Sequence, residues 1–251
     1  RGVTPDSART LVRTRNTLIA SLMVRRGEAD ALICGTVGRF ERHLGYVNEV
    51  IGRKAGVKAY STLTAVLLTS GTFFITDTEV THNPTDEEVA ESAVMSAAWL
   101  RRFGIAPKAA LLSHSNFGSH DDASAQKMRQ VVELLRERLP PKIEIDGEMH
   151  ADTALNPEIR AAIFPNSKLT GTANLFICPN MDSANIAFNM TRVMTDGVVL
   201  GPVLMGLAKS AHILTPSATV RRVFNMTAIA AVEAQIRAAG VPARASAIDA
   251  D

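Results

Sequence analysis

The sequence predicts an α/β protein built on a mainly parallel, doubly wound sheet. Two observations carry this. Short apolar runs suited to strands alternate with helical segments along the whole chain. Near the start, the run Ala31-Leu32-Ile33-Cys34 lies between a helical segment and the loop Gly35-Thr36-Val37-Gly38, which leads into another helix. That is one piece of a parallel α/β unit.

The elements follow in order. Thr4-Pro5-Asp6 starts a helix, with a hydroxyl cap, proline at the first helical position and an acid in the first turn. Ala8, Leu11, Val12, Leu18, Ile19, Leu22 and Met23 continue it at helical spacing up to Gly27. The strand at 31–34 and a helix to about Ile51 come next, then two strands, 63–69 and 72–75, around a Ser-Gly turn. Thr85 to Glu88 is a capping box for a long helix closing at Gly104, with Pro107 just beyond. A strand at 108–112, the polar loop 113–119, a helix from Asp122 to Leu139 and a stop at Pro140-Pro141 follow. Further strands are expected at 143–145, 174–178, 198–200 and 212–214. Thr219 then caps a last helix that stops at Gly240 and Pro242, and the last ten residues are expected to fray. One strand before the first glycine loop is too few for a sheet, and no initiator Met is present. The chain is therefore expected to be the back part of a longer polypeptide.

Composition excludes several classes. A formal net charge of +2, with basic residues only in small pairs such as Arg25–Arg26 and Arg101–Arg102, argues against nucleic acid or an anionic membrane as partner. The stretch 59–76 is uncharged but broken by Ser, Thr and Gly, so it is not a membrane span. Cys34 and Cys178 end apolar runs and are expected to be buried, reduced thiols. With no secretory signal at the start, the expected compartment is the cytoplasm.

Chemistry is expected at the carboxyl ends of parallel strands, which makes the loops 35–38, 113–119 and 179–185 candidates by topology. The first is neither a dinucleotide nor a Walker fingerprint and reads equally well as a tight strand-to-helix turn. Neither His114 with His120 nor the run from Glu148 to Asp152 has the spacing of a zinc site, and no GxSxG surrounds Ser113, Ser115 or Ser119. Metal: none is expected. The strongest local feature runs from His212 to Arg222. Thr215 and Ser217 bring hydroxyls, Thr219 caps a helix, and Arg221 and Arg222 follow in its first turn. Helix amides beside guanidinium groups suit a phosphate or diphosphate, although the same residues also read as an ordinary cap with solvated arginines.

Asp146-Gly147-Glu148, Asp152, Ala154, Gly171-Thr172-Ala173-Asn174, Asn185-Ile186, Gly201-Pro202 and Gly206 together resemble the phosphotransacetylase and phosphotransbutyrylase family, over about residues 1–231. The segments 34–44, 111–119, 147–152 and 212–222 are similar to the C-terminal domain of NADP-dependent malic enzymes. The resemblance implies a two-lobed fold with acyl-CoA in the cleft between the lobes. Residues 1–49 with 202–251 would form the first lobe, its opening strands lying upstream, and residues 50–201 the second. It also places Thr215, Pro216 and Arg222 where active transferases carry serine, arginine and an acid, and Gly45 where they carry a further arginine. Losing two cations and the proposed base would cost several kcal/mol of barrier. No catalytic residue is therefore expected. Thr215, Ser217, Thr219, Arg221, Arg222, Arg39 and Arg42 are instead the candidate acetyl-CoA ligands.

The reading that follows is a regulatory and oligomerisation module. Its partners are acetyl-CoA as effector, an N-terminal malic-enzyme domain of the same chain and further copies of itself, as a dimer or higher oligomer. The segment itself is expected to hold no cofactor, leaving NADP and a divalent metal to the parent enzyme. The alternatives are a working phosphate acyltransferase and a purely structural dimerisation domain. Charge reversal, Arg222→Glu, is expected to weaken acetyl-CoA binding by at least about tenfold and to leave the melting temperature of the free protein nearly unchanged.

Overall fold

The computed structural model describes residues 3–239. The expected stop at Gly240 and Pro242 and the fraying of the last ten residues lie outside the described residues. The described residues divide into two compact units, residues 3–57 with 206–239, and residues 58–205. These boundaries fall later than the expected 49/50 and 201/202, for a visible reason. β7 (Val198–Met205) runs unbroken through Pro202 and stays paired with β2 (Ser61–Leu68) as far as Met205. The chain after α3 (Phe40–Val50) belongs with the first unit, through a bridge between Arg53 and Leu207 and a bond from Ala208 N to Gly52 O.

In the first unit, β1 (Ala31–Cys34) pairs parallel with β8 (Ser210–Ile213) in a two-stranded sheet. α1 (Pro5–Thr14), α2 (Asn16–Arg26), α3 and α9 (Val220–Ala238) complete it. The single opening helix read from the sequence is two helices. Arg15 is extended at φ −126°, ψ 95°, and its side chain makes no cap for α2. Thr14, Asn16 and Thr17 around it are poor helix formers, and only α2 has a buried face to hold it. That face is Thr17, Leu18, Ser21 and Val24, whereas Val12 and Met23 of the expected apolar face are exposed.

The second unit is a six-stranded sheet in the order β5-β4-β6-β3-β2-β7. β3 (Gly71–Thr76), β6 (Leu175–Ile177), β4 (Lys108–Leu112) and β5 (Glu144–Met149) run parallel. β2 returns antiparallel to β3 through the expected hairpin, and β7 pairs antiparallel to β2. Alternation along each strand sends residues to opposite faces. Val66, Ile75, Ala110 and Phe176 pack with Ala154, Ala184 and Phe188, from α6 (Ala151–Leu155) and α8 (Met181–Met194). On the other face Phe74 meets Trp99 of α4 (Asp86–Arg102), which packs beside α5 (Ala123–Arg138). Helices on both faces of a mainly parallel sheet make the doubly wound arrangement.

The caps form as the sequence indicates. Thr85 and Glu88 form both bonds of the capping box, Asp122 caps α5, and Gly104 takes a positive φ of 75° beyond α4. α6, α7 (Pro157–Ile163) and α8 had no strong signal. The first two are too short for periodicity to show. β5 also runs on where a strand at 143–145 was expected, taking Asp146 and Glu148 into the sheet. The polar motif hides it. Gly147 lies against β4, where a Cβ would be 2.8 Å from the Leu111 carbonyl oxygen, and the β4–β5 register slips by one residue there. No helix among the described residues is long and apolar enough to cross a membrane.

Candidate functional site

β1 and β8 end side by side, Cys34 opposite Ile213, so the loops 35–38 and 214–219 leave one edge of the sheet together. Leu214 N continues the ladder onto Cys34 O at 2.7 Å. Gly35 is required there. Its φ is 96°, and a Cβ would stand 2.2 Å from the Leu214 carbonyl oxygen. The loop after β8 closes as a turn, Ala218 N to Thr215 O at 2.9 Å, and Thr215 and Ser217 bring their hydroxyls to 3.0 Å.

Thr219 caps α9 by accepting from Arg222 N at 3.2 Å. The Arg222 guanidinium turns back under the loop, with Nη1 3.4 Å from Thr215 Oγ1, and the residue is only 6% exposed. Arg221, one position earlier, points to solvent, and Pro216, Ser217 and Thr219 are exposed too. The structure thus gathers Thr215, Ser217, Thr219 and Arg222, and parts the two arginines that the sequence set together. A hydroxyl-lined helix start with one inward arginine can hold an anionic group. Arg39 caps α3 by its backbone position only, and Arg42 lies exposed in that helix's first turn. Gly45 sits on the open face of α3, where an added Cβ would meet nothing within 4 Å.

A second group of polar residues lies where β4 and β5 end, and the sequence showed its parts without their relation. Glu148 is 1% exposed. Its Oε1 accepts from Ser115 Oγ at 2.7 Å, Gly118 N at 2.9 Å and Arg129 Nη1 at 2.9 Å. Arg129 also holds His120 O and Asp121, so one buried carboxylate and one arginine of α5 tie down the 115–121 part of this loop. Asp146 likewise accepts from Ser167 Oγ and Lys168 N. Asn174 takes Lys108 N and donates to Ala106 O, and Asn185 donates to Thr78 O. The polar residues that most strongly suggest a family are therefore framework in this chain, tying loops to strands.

Asp77, which the sequence reading did not single out, is a heavily used carboxylate. It accepts from Thr62 N and Oγ1, Glu79 N, Val80 N and Thr81 N. Burial nonetheless pushes its pKa up, against the downward pull of those bonds. The available signal was an acid directly after an apolar strand.

His114 pairs with Asp122 at 2.7 Å, and His150 with the His114 carbonyl at 2.7 Å. Among the described residues no group of three His, Cys, Asp or Glu side chains is placed to hold a metal ion. Burial raises the Cys34 thiol to about 11, opposed by a bond to Thr17, and the Cys178 thiol to about 12. Both should then be almost wholly protonated at pH 8, and inert because the thiolate is the nucleophile. A thiol-reactive chromogen at that pH should label neither in the folded protein and both after unfolding. Rapid native labelling of Cys34 would contradict its environment.

The class of protein follows from comparison with known sequences and structures. The profile of the phosphate acetyl/butaryl transferase family matches residues 1–231, and the chain belongs to that family. In structure it is similar to the EutD phosphotransacetylase from Staphylococcus aureus, with TM-score 0.81 and 28% identity over 93% of this chain and 71% of that one. A phosphotransacetylase from Streptococcus pyogenes gives TM-score 0.85 at 28% identity, over 92% and 70% of the two chains.

Within the family, the sequence matches malic enzymes, of which it corresponds to the phosphotransacetylase-like C-terminal domain. It is 52% identical to an NAD-dependent malic enzyme of Rhizobium meliloti over 92% of this chain and 30% of that protein. It is also 52% identical to the NADP-dependent malic enzyme of Escherichia coli, over 94% and 31%. The chain therefore spans about a third of the length of these relatives. A phosphate acetyltransferase of Helicobacter pylori is 30% identical over 94% of this chain and 45% of that protein.

Proposed function

We propose that this chain is a regulatory and oligomerisation module of a malic enzyme, binding acetyl-CoA at the start of α9 without transferring its acyl group. The observation that carries the reading is Arg222. The resemblance puts an acid at this position in working transferases, whereas here a buried guanidinium reaches back to Thr215. A cation there favours holding a phosphate and cannot serve as a general base. Pro216, at the position of the family's arginine, offers neither charge nor donor.

Self-association is supported by α8 in the second unit. Ile186, Met190, Val193 and Met194 are all more than half exposed along its outer side. Malate oxidation would fall to the rest of the longer protein. Relatives of equal identity carry NAD and NADP in their names, so the coenzyme is not a property of this segment.

Two measurements on the same protein test the proposal. Calorimetry with acetyl-CoA should show saturable binding. A thiol assay with acetyl-CoA and phosphate should release CoA no faster than a protein-free control. Binding with clear turnover would establish a working acyltransferase, as the kinship with phosphate acetyltransferases allows. No binding at millimolar acetyl-CoA would leave a structural domain.

A further inference from the structure

Loop 35–38 is held at both ends. At Gly35 it lies against the backbone of Leu214, the residue before Thr215. At the other end a histidine of α3 takes over. His43 Nε2 is 2.8 Å from the Val37 carbonyl oxygen, and a Cβ on Gly38 would stand 3.1 Å from the same nitrogen. Gly38 has a positive φ of 102° and Gly35 one of 96°, so the backbone turns at each hold. The other ring nitrogen is engaged as well, because His43 Nδ1 is 2.7 Å from Thr17 Oγ1. Thr17 belongs to the buried face of α2, which packs beside α3. One side chain therefore joins two helices and a loop. Thr36 and Val37 are themselves exposed, so burial of their side chains does little to hold the loop.

We infer that His43 is a positioning residue, which sets how loops 35–38 and 214–219 meet and thereby the anion site at the start of α9. Its partners fix its proton. A carbonyl only accepts, so Nε2 carries the hydrogen and donates to Val37 O. In the neutral ring Nδ1 is then the acceptor, and the Thr17 hydroxyl donates to it. A ring bonded on both sides to separate elements keeps one orientation, and Val37 O is held with it. From there the contact path is short. Gly35 leaves no slack against Leu214, and Thr215, the next residue, carries the hydroxyl that Arg222 Nη1 approaches to 3.4 Å. Freeing Val37 lets the loop shift, and the shift reaches Thr215 through the backbone rather than through the ligand. Only the identity of the ligand rests on the proposed function. The holding of the two loops is a property of the first unit, and Leu214 N, bonded to Cys34 O at 2.7 Å, reports it without any ligand.

The test compares His43→Leu with His43→Gln. Leucine fills the half-exposed position without a donor or an acceptor, whereas the glutamine amide offers one of each, as the neutral ring does. By calorimetry, His43→Leu should weaken acetyl-CoA binding about fivefold or more, and His43→Gln should return it to within about twofold of the parent. Without ligand, the Leu214 amide should exchange at least about fivefold faster in the leucine variant and near the parent rate in the glutamine variant. Parent affinity in His43→Leu overturns the inference. A glutamine variant as weak as the leucine one also overturns it, because the two bonds are then not what counts. If the parent protein binds no acetyl-CoA, the proposed function falls and Leu214 exchange alone decides. Unchanged exchange in His43→Leu then overturns the positioning role, and faster exchange recovered by glutamine sustains it.

Discussion

Glu148→Ala should lower the unfolding free energy by about 3 kcal/mol, measured by urea titration, because three donors lose one acceptor together. Ser115 Oγ, Gly118 N and Arg129 Nη1 all converge on Oε1, and both Ser115 and Glu148 are almost fully buried. Breaking a buried charge pair by removing one partner costs about 3–5 kcal/mol. The lower end applies here, since the Arg129 side chain is 32% exposed and keeps Asp121 and the His120 carbonyl. Ser115 Oγ also keeps its bond from His120 N. Glu148→Gln retains the shape and one acceptor, losing only the negative charge that faces the arginine, and should cost about half as much. Exchange in loop 113–120 should rise more in the alanine variant than in the glutamine variant. If alanine costs less than about 1 kcal/mol, the loop holds itself by local turns and the carboxylate is dispensable.

How the sequence disclosed the fold, and how it hid the site, follows from the same residues. Elements with an end signal were legible: Thr4-Pro5, the Thr85–Glu88 box and Thr219 all cap the helices they announce. The break at Arg15 was not, because α1 and α2 share an apolar period and the interruption is set by which of them packs. Nor was β5, where Asp146 and Glu148 have the polarity of a loop and are accepted into a sheet only because residues distant in sequence donate to them. The site shows a similar limit. Residues 215–222 were recognisable as a hydroxyl-lined helix start carrying arginines. Their neighbourhood with loop 35–38 depends on the parallel pairing of β1 with β8, strands whose paired residues lie 179 apart in sequence, as in Ala31 with Ser210. Local pattern carries no information about such pairing.

Acetyl-CoA affinity should fall tenfold to a hundredfold in Arg222→Met and change less than about threefold in Arg221→Met, since one charge-assisted bond is worth roughly 1.5–3 kcal/mol. The asymmetry comes from where the two side chains go. Arg222 is 6% exposed and reaches Thr215, so its guanidinium is already fixed beside the hydroxyls, whereas Arg221 is exposed and would lose rotamer freedom on binding. The burial also corrects the expectation that charge reversal at 222 leaves the melting temperature unchanged. A packed stem is part of the core, and exchanging it for a shorter acid leaves space and desolvates a carboxylate. Glutamate would stand three residues after Thr219 and could close a capping box with it, a gain that opposes the loss. Charge reversal therefore mixes three effects. Methionine keeps the unbranched stem and removes only the guanidinium, and replacing a buried ionic group by an apolar one of similar volume is often neutral for stability. Calorimetry and thermal melts on both methionine variants should show affinity and stability parting company at 222. An unchanged affinity in Arg222→Met with a large loss in Arg221→Met would move the phosphate contact to the exposed arginine. Loss in neither would move it to Arg39 and Arg42, at the start of α3 on the same sheet edge.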